Sequence, residues 1–195
     1  PTPRALALVE AELGVARAAD VFLDLDAATA PVAAASLGQV YRCRLRARPH
    51  ETVALKVQRP DMLKAVSLDL FLLRGALRAL ERYKTAVLTG VFGSADRAPF
   101  DVALLDAFAR AAYRELDYEH EAANQRRFAA ELPRALPARD AARVRVPAVL
   151  ASASARKVLT TEWIVGEQLA RQPRDVVAEL TPLGVRCFIA QLLDL

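Results

Sequence analysis

Apolar residues recur at two different spacings along the chain, and each spacing predicts a different kind of element. In residues 3–14 the Leu and Val side chains follow the three-to-four-residue spacing of a helix that buries one face. Residues 41–46 and 53–58 instead alternate between apolar and polar side chains, which is typical of β-strands with one buried face. The turn residues at 48–51 lie between these two runs, so the pattern predicts an antiparallel hairpin.

Longer runs with helical spacing fill the middle of the chain. One helix is predicted from Pro60 to about Lys84, and a second from Asp101 to about Leu132. The connection over residues 90–99 contains Gly and Ser, so we expect it to be exposed and mobile.

The last third of the chain returns to strands and then to helices. Residues 143–150 and 156–164 predict a second antiparallel pair, and Gly166 ends this sheet. Beyond it, Pro173 begins a short helix, and Thr181 with the proline that follows it predicts the N-cap and first turn of another. Antiparallel strands mixed with helices predict the α+β class.

Composition sets limits on the kind of protein this is. The chain has 195 residues, of which 54% are hydrophobic, which suffices for one ordinary domain or two small lobes and excludes a disordered chain. Charged residues interrupt every Leu-rich run, so no segment reaches the roughly 18 apolar residues that a membrane span requires. The chain begins with Pro1 and ends in an apolar helical run, so we expect a fragment of a longer protein.

Charge and cysteine content add little that is specific. Arg outnumbers Lys 23 to 4 and 40 residues are Ala, which is typical of a coding bias, so the net charge of +4 is weak evidence for an anionic partner. Cys43 and Cys187 lie far apart and outside any CxxC or Cys/His spacing. They therefore predict neither a disulfide framework nor a zinc site.

The scarcity of lysine draws attention to Lys56, which lies between apolar residues in the second strand of the predicted hairpin. The chain places a small loop before this hairpin, a charged helix after it, and then a strand that ends in Glu, which is the order of a kinase-like nucleotide-binding lobe. The lysine of such a lobe projects into a cleft and contacts the α and β phosphates of ATP. A solvated lysine on a half-exposed strand is the alternative that this segment alone leaves open.

A lysine in such a cleft requires a carboxylate partner on the adjacent helix, and Glu121 is the candidate. Asp117 lies one helical turn before Glu121 and can share its face, and Glu115 is nearby. The alternative is a solvated acidic helix face, which is the usual meaning of such clusters.

Four segments in order resemble the UbiB/AarF-type (ADCK) atypical kinase family. They are AAASLGQVYRCRL (33–45), VALKVQRP (53–60), RELDYEHEAANQRRF (114–128) and KVLTTEWIVGEQL (157–169). The resemblance, which runs from about residue 3 to residue 195, implies a protein-kinase-like fold with an antiparallel-sheet N-lobe over residues 1–165. Residues 166–195 would then be the truncated start of a helical C-lobe.

The resemblance places an alanine-rich loop at residues 33–39, in place of the glycine-rich phosphate loop of ordinary kinases. The nucleotide-binding residues that it implies there are Ala34, Ala35, Ser36, Gly38 and Gln39. Alanine removes the positive φ angles that glycine permits, so we expect this loop to be stiffer and to hold a nucleotide differently. Coding bias is an alternative reason for three consecutive alanines, and the SLGQVY that follows favours the loop.

The same resemblance assigns the remaining site residues. Lys56 takes the position of the ATP-phosphate lysine and Glu121 that of its ion-pair partner. Glu115 and Asp117 match the ExD pair of the family.

A hinge that reads adenine through backbone groups would lie at Glu162 to Ile164, with Thr161 at the position that gates the adenine pocket. The alternative is a buried edge strand in which Trp163 packs as core.

The implied function is that of an atypical kinase or ATPase that binds ATP and Mg²⁺ and is linked to isoprenoid quinone or lipid metabolism. No metal ligand is assigned within this chain, because the catalytic loop and the metal-binding Asp would follow it. A pseudokinase-type scaffold or a lipid-surface binding module without catalysis is the alternative.

The expected partners are an adenine nucleotide and, further, a lipid or membrane surface. The Arg stripe at residues 42–48 carries the charge of a nucleic-acid binder but lacks interleaved aromatic residues, so we expect no nucleic-acid partner. LDLFLLR and KVLTTEWI are closer to plant, algal and cyanobacterial family members, which favours a chloroplast over a mitochondrial location.

Overall fold

The computed structural model describes residues 2–92 and 100–193, which fold around a five-stranded antiparallel sheet. Its strands are β1 (Phe22–Leu23), β2 (Ala33–Ala34), β3 (Gly38–Leu45), β4 (Arg48–Gln58) and β5 (Val158–Glu162). They lie in the order β1–β3–β4–β5, and β2 pairs with β3 near its start. Antiparallel strands combined with helices confirm the predicted α+β class.

The hairpin of β3 and β4 follows the predicted alternation. Tyr41 and Cys43 of β3 are buried, as are the apolar residues of β4 at 53, 55 and 57. The turn lies at Arg46–Ala47 and not at 48–51 as predicted, because β4 already begins at Arg48 and the register shifts between Arg44 and Leu45. Pro49 has no N–H to donate to a regular ladder, which accounts for an irregularity at this point.

One face of the sheet forms the main core together with α1 (Thr2–Leu13). Its largest fully buried members are Val9, Phe22, Tyr41, Leu55 and Val158. Helix α1 forms where sequence periodicity predicts it, and its Glu12 accepts a hydrogen bond from Lys157 Nζ at 2.6 Å. This face is therefore closed, and the opposite face of β4 is the one available for a site.

The helix predicted from Pro60 is α2, which runs over Met62–Phe92. It begins two residues later than predicted because Asp61 has a φ of 61°, which is outside the helical region. It also continues beyond Lys84, so residues 90–92 of the predicted connection are helical. The rest of that connection, residues 93–99, lies outside the described residues.

The single helix predicted over 101–132 is in fact two helices, α3 (Phe100–Glu115) and α4 (Tyr118–Ala135). Asp117 separates them with extended backbone angles and accepts hydrogen bonds from the N–H groups of Glu119 and His120. This side-chain cap satisfies free donors at the start of α4 and so stabilises the break.

Residues 143–150 do not form the predicted strand. They are joined to β5 by one bridge between Val149 and Thr161 and by the hydrogen bond from Leu150 N to Thr160 O. Pro147 lacks the N–H that a regular ladder requires. The strand predicted over 156–164 is present as the shorter β5, and its main partner is β4.

The C-terminal part contains α5 (Ala138–Ala141) and α6 (Arg174–Leu193). The two helices predicted here are one, because Thr181 lies inside α6 and its hydroxyl donates to Val177 O at 2.6 Å instead of capping a helix. None of the described helices combines the length and the apolar character that crossing a bilayer requires.

Candidate functional site

The side chains of Lys56 and Glu121 meet on the open face of the sheet. Lys56 pairs with Val40 in the ladder, and strand alternation directs it away from the main core. Helix α4 places Glu121 in its first turn, and Lys56 Nζ lies 2.6 Å from Oε2 and 2.8 Å from Oε1 of Glu121. The structure therefore brings together the two residues that the sequence paired across 65 positions.

This ion pair remains accessible to a ligand. The Lys56 side chain is 34% exposed and that of Glu121 39%. An ammonium has three N–H donors, and the two oxygens of one carboxylate occupy two of them. One donor of Lys56 is thus left for an anionic group that approaches from solvent.

Tyr118, which sequence reasoning missed, lies directly beneath this pair. Its ring centroid is 4.5 Å from Lys56 Nζ, and its side chain is buried together with Ala122 and Leu159. Burial, with the charges of Glu121 and Glu115 nearby, raises the pKa of the phenol to about 12. The available signal was an aromatic residue three positions before Glu121, on the same helix face.

The alanine-rich segment forms a tight exposed hairpin. Ala33 pairs with Val40 and Ala34 with Gln39, and the N–H of Ala35 donates to Gly38 O at 2.8 Å. Ser36 lies at its exposed tip. In the described part of the chain, the amides of Ser36 and Leu37 have no hydrogen-bond acceptor. These two donors at the tip of the hairpin are suited to bind an anion.

The ExD residues lie at the junction of α3 and α4 and do not contact Lys56. Glu115 ends α3 and is exposed, whereas the Asp117 carboxylate caps α4. Arg156 Nε is 3.8 Å from Asp117 Oδ2. Asp117 therefore stabilises the first turn of α4, the helix that carries Glu121.

The predicted hinge leaves the end of β5. Glu162 N donates to Ala148 O at 2.8 Å, and its carboxylate accepts a hydrogen bond from Arg145. Trp163 is half-buried, with the guanidinium of Arg42 5.4 Å from its ring centroid. Among the described residues nothing accepts a hydrogen bond from the Ile164 amide, so this donor is open to a ligand.

Four half-buried residues lie on the open face of the sheet, between the alanine-rich hairpin and the hinge. They are Val40, Ala54, Lys56 and Thr161. Register places Val40 opposite Lys56, and Ala54 opposite Thr161, and paired residues of neighbouring strands share a face. Small side chains at Ala54 and Thr161 leave space beside the lysine.

Three of the cavities lie near this site, and one of about 310 Å³ is bordered by Tyr118 and Ala122 of α4 and by Ala151 and Ser154. A second of about 760 Å³ is at the far end of the hairpin, between residues 45–48 and 148–153. Another of about 440 Å³ borders Glu121, between Phe128 of α4 and Gln191 of α6. Within residues 2–92 and 100–193, His, Cys, Asp and Glu side chains form no group of three that could hold a metal ion.

A sheet that carries a lysine paired with a glutamate of the adjacent helix, and a short hairpin before it, defines the class of proteins with a kinase-like fold. Within this class, the chain belongs to the ABC1 atypical kinase-like domain family, whose family model matches residues 1–194. This confirms the family resemblance that the four sequence motifs indicate.

Relatives in plants and cyanobacteria support this assignment. The chain is 40% identical over 169 residues to the Arabidopsis thaliana protein ACTIVITY OF BC1 COMPLEX KINASE 3, chloroplastic. This alignment covers 84% of this chain and 21% of the Arabidopsis protein. It is 34% identical over 203 residues to the uncharacterized Synechocystis protein sll0005, covering all of this chain and 26% of the relative. The chain thus spans between a fifth and a third of the length of such relatives.

A solved structure has the same fold. It is that of Rv3197 from Mycobacterium tuberculosis in complex with erythromycin, which is 31% identical to this chain with a TM-score of 0.56. The match covers 87% of this chain and 37% of Rv3197. Together with the family model, it confirms the predicted kinase-like fold.

Proposed function

We propose that this chain is the ATP-binding part of an atypical kinase or ATPase. The observation that carries the proposal is the half-exposed ion pair of Lys56 and Glu121, which lies beside the exposed alanine-rich hairpin. Glu121 orients the ammonium, and the remaining donor of Lys56 binds an oxygen of the α or β phosphate. The amides of Ser36 and Leu37 bind further phosphate oxygens.

The adenine ring would lie between Val40 and Ala54, with its edge on the hinge. The Ile164 amide donates to the ring and the Glu162 carbonyl accepts from its amino group, while Thr161 sets the depth of the pocket. Bound with the nucleotide, Mg²⁺ would supply charge neutralisation for the triphosphate.

Titration of the complete protein with Mg–ATP tests this proposal. We expect Lys56→Ala and Glu121→Gln to weaken binding about 10- to 100-fold, because each removes or misdirects a charge-assisted contact. Lys64→Ala and Glu119→Gln are matched controls, since both side chains are exposed and lie outside the site. Unchanged affinity in both site variants would reject the proposal.

Catalysis is a separate part of the proposal and has its own test. Phosphate release or transfer by the complete protein should fall with the Lys56→Ala variant. If the protein binds Mg–ATP without any turnover, the pseudokinase-type scaffold is the better description.

A lipid surface is a second candidate partner, because α2 and α3 expose many large apolar side chains. Phe71 is 73% exposed, and Leu72 and Phe108 are also exposed. Flotation of the complete protein with anionic lipid vesicles tests this candidate, and Phe71→Glu with Leu72→Glu should abolish the binding. Retained flotation of that variant would exclude α2 as the contact.

The arginines at residues 42–48 contact neighbouring groups of the chain. Arg44 forms an ion pair with Asp24, and Arg46 Nε donates to Ala19 O at 2.8 Å. Arg48 lies 3.2 Å from Glu51. These contacts favour a structural role for the stripe over nucleic-acid binding.

We further propose a plastid location and a link to isoprenoid quinone or lipid metabolism. The names of several relatives include the word chloroplastic, which supports the location. Imaging of the complete protein fused to a fluorescent protein tests it. Prenylquinone content in cells that lack the protein, complemented with the wild type or with Lys56→Ala, tests the metabolic link.

A further inference from the structure

Tyr118 occupies a fixed position between α4 and the sheet. It is the first residue of α4, directly after the cap Asp117, and only 1% of its surface is exposed. Its N–H donates to Arg156 O at 2.9 Å, and its ring packs against Leu159 of β5. The ring therefore has little freedom to move relative to the strands.

The face of this ring bounds the space in which the Lys56 ammonium lies. The ring centroid is 4.5 Å from Nζ, within the range of a cation–π contact, and the Glu121 carboxylate lies 2.6 Å from the same Nζ. A lysine side chain is flexible and loses substantial rotamer freedom when it is held in one place. Two contacts from one helix restrict it more than the carboxylate alone would.

The hydroxyl end of Tyr118 lies against the base of the alanine-rich hairpin. A Cβ atom at Gly38 would lie 2.5 Å from Tyr118 Oη and 3.1 Å from the Val57 carbonyl oxygen. Gly38 is thus required by this close approach. Among the described residues, Tyr118 Oη is also the one buried side-chain polar atom that has no hydrogen-bond partner.

An unpartnered buried hydroxyl destabilises a fold, so phenylalanine would suit the packing better. The hydroxyl is in close contact with Gly38, and this contact determines how closely the hairpin approaches α4. We propose that Tyr118 is a positioning residue, which holds the Lys56 ammonium with its ring and the base of the phosphate-binding hairpin with its hydroxyl. This proposal rests on the proposed ATP-binding function. It adds Tyr118 as the residue that aligns the two phosphate-binding parts of the site, the Lys56 ammonium and the hairpin.

Mg–ATP affinity and thermal unfolding of the complete protein test this proposal together. We expect Tyr118→Leu to raise the Kd for Mg–ATP at least about fivefold. Tyr118→Phe, which keeps the ring but loses the contact of the hydroxyl with Gly38, should raise the Kd by a smaller factor of about two. Tyr113→Leu is the matched control, since Tyr113 is a half-exposed tyrosine of α3 whose hydroxyl contacts Ser67. It should leave the affinity unchanged.

The hydroxyl is tested by a double-mutant cycle with Gly38. Gly38→Ala should weaken nucleotide binding and lower the melting temperature, because its Cβ meets the hydroxyl. Adding Tyr118→Phe should recover part of both losses, since the nearest remaining atom of the ring is 3.8 Å from that Cβ, whereas the Val57 carbonyl oxygen stays at 3.1 Å.

The outcomes distinguish this proposal from the proposed function. If Lys56→Ala abolishes binding while Tyr118→Leu does not alter it, the positioning role is wrong and ATP binding stands. Equal losses in Gly38→Ala with and without Tyr118→Phe would also overturn it. If the unaltered protein does not bind Mg–ATP, both proposals are wrong, whereas recovery in the cycle alongside normal binding supports both.

Discussion

The side chain of Gln58 donates a 2.9 Å hydrogen bond from Nε2 to the backbone carbonyl oxygen of Leu116, and both residues are buried. Gln58 ends β4, two residues after Lys56, and Leu116 lies in the break between α3 and α4, just before the cap of α4. This contact therefore joins the strand that carries the lysine to the start of the helix that carries Glu121.

Replacement of Gln58 by leucine should lower the free energy of unfolding by about 1–3 kcal/mol, because the Leu116 carbonyl is left buried without a partner. Urea unfolding of Gln58→Leu measures this cost. Gln168→Leu is the matched control, since Gln168 is exposed and should change stability by less than about 0.5 kcal/mol. Equal effects of the two substitutions would show that the hydrogen bond contributes nothing.

The ion pair of Lys56 and Glu121 should matter far more for ligand binding than for stability. Both side chains are more than a third exposed, and ion pairs of this kind contribute less than about 1 kcal/mol. We therefore expect the urea midpoint of Glu121→Gln to remain close to that of the wild type while Mg–ATP affinity falls. A loss of stability as large as that of Gln58→Leu would contradict this interpretation.

The alternation of apolar and polar residues predicts the part of the site that lies on a single strand, which is the position of Lys56. Alternation in β3 and β4 placed Lys56 opposite the core, and the family motifs selected Glu121 as its partner. The contact between them depends on the break at Asp117, which periodicity could not show because the apolar spacing continues from α3 into α4. Tyr118 was missed for a related reason, since its burial results from the way α4 packs on β5.

The errors nearer the C-terminus arise from local signals that tertiary contacts override. Thr181 with the proline after it is a common helix start, yet α6 continues through both residues. Ala190 of α6 packs against Leu132 and Leu136, and Arg186 binds Asp140. These contacts stabilise α6 as a single continuous helix. The residues that they involve lie about 50 positions before α6 along the chain, so a local sequence pattern cannot include them.

The contact between Asp140 and Arg186 should be the more important of two ion pairs that connect α6 to the region around α5. Asp140 is only 3% exposed, and Arg186 Nε lies 2.8 Å from its Oδ2. Arg186→Leu leaves this carboxylate buried with Arg139 at 3.7 Å as a weaker partner, so we expect a loss of about 1–3 kcal/mol in urea unfolding.

Arg143→Leu is the control within the same interface. Arg143 pairs with Glu179 of α6, and both side chains are well exposed, so its loss should cost less than about 1 kcal/mol. If the two arginine variants lost the same stability, burial of Asp140 would not determine the strength of this contact.

Stability should fall at alkaline pH because of the buried thiol of Cys43. Burial, and to a lesser extent the charge of Asp24, raises the pKa of this thiol from 9.0 to about 12. Between pH 9 and pH 12 the unfolded chain releases this proton while the folded chain retains it. The free energy of unfolding therefore falls as the pH rises through this range, by up to about 1.4 kcal/mol per pH unit.

Urea unfolding of the wild type and of Cys43→Ala at pH 8 and pH 10 isolates this effect. The substitution leaves a cavity, which lowers the free energy of unfolding at both pH values. The difference in this free energy between the wild type and Cys43→Ala should be smaller at pH 10 than at pH 8, because only the wild type loses the contribution of the protonated thiol. Tyr118, whose pKa is also raised to about 12, contributes equally to both proteins and cancels in the comparison. A difference that is independent of pH would show that Cys43 does not titrate anomalously in the folded protein.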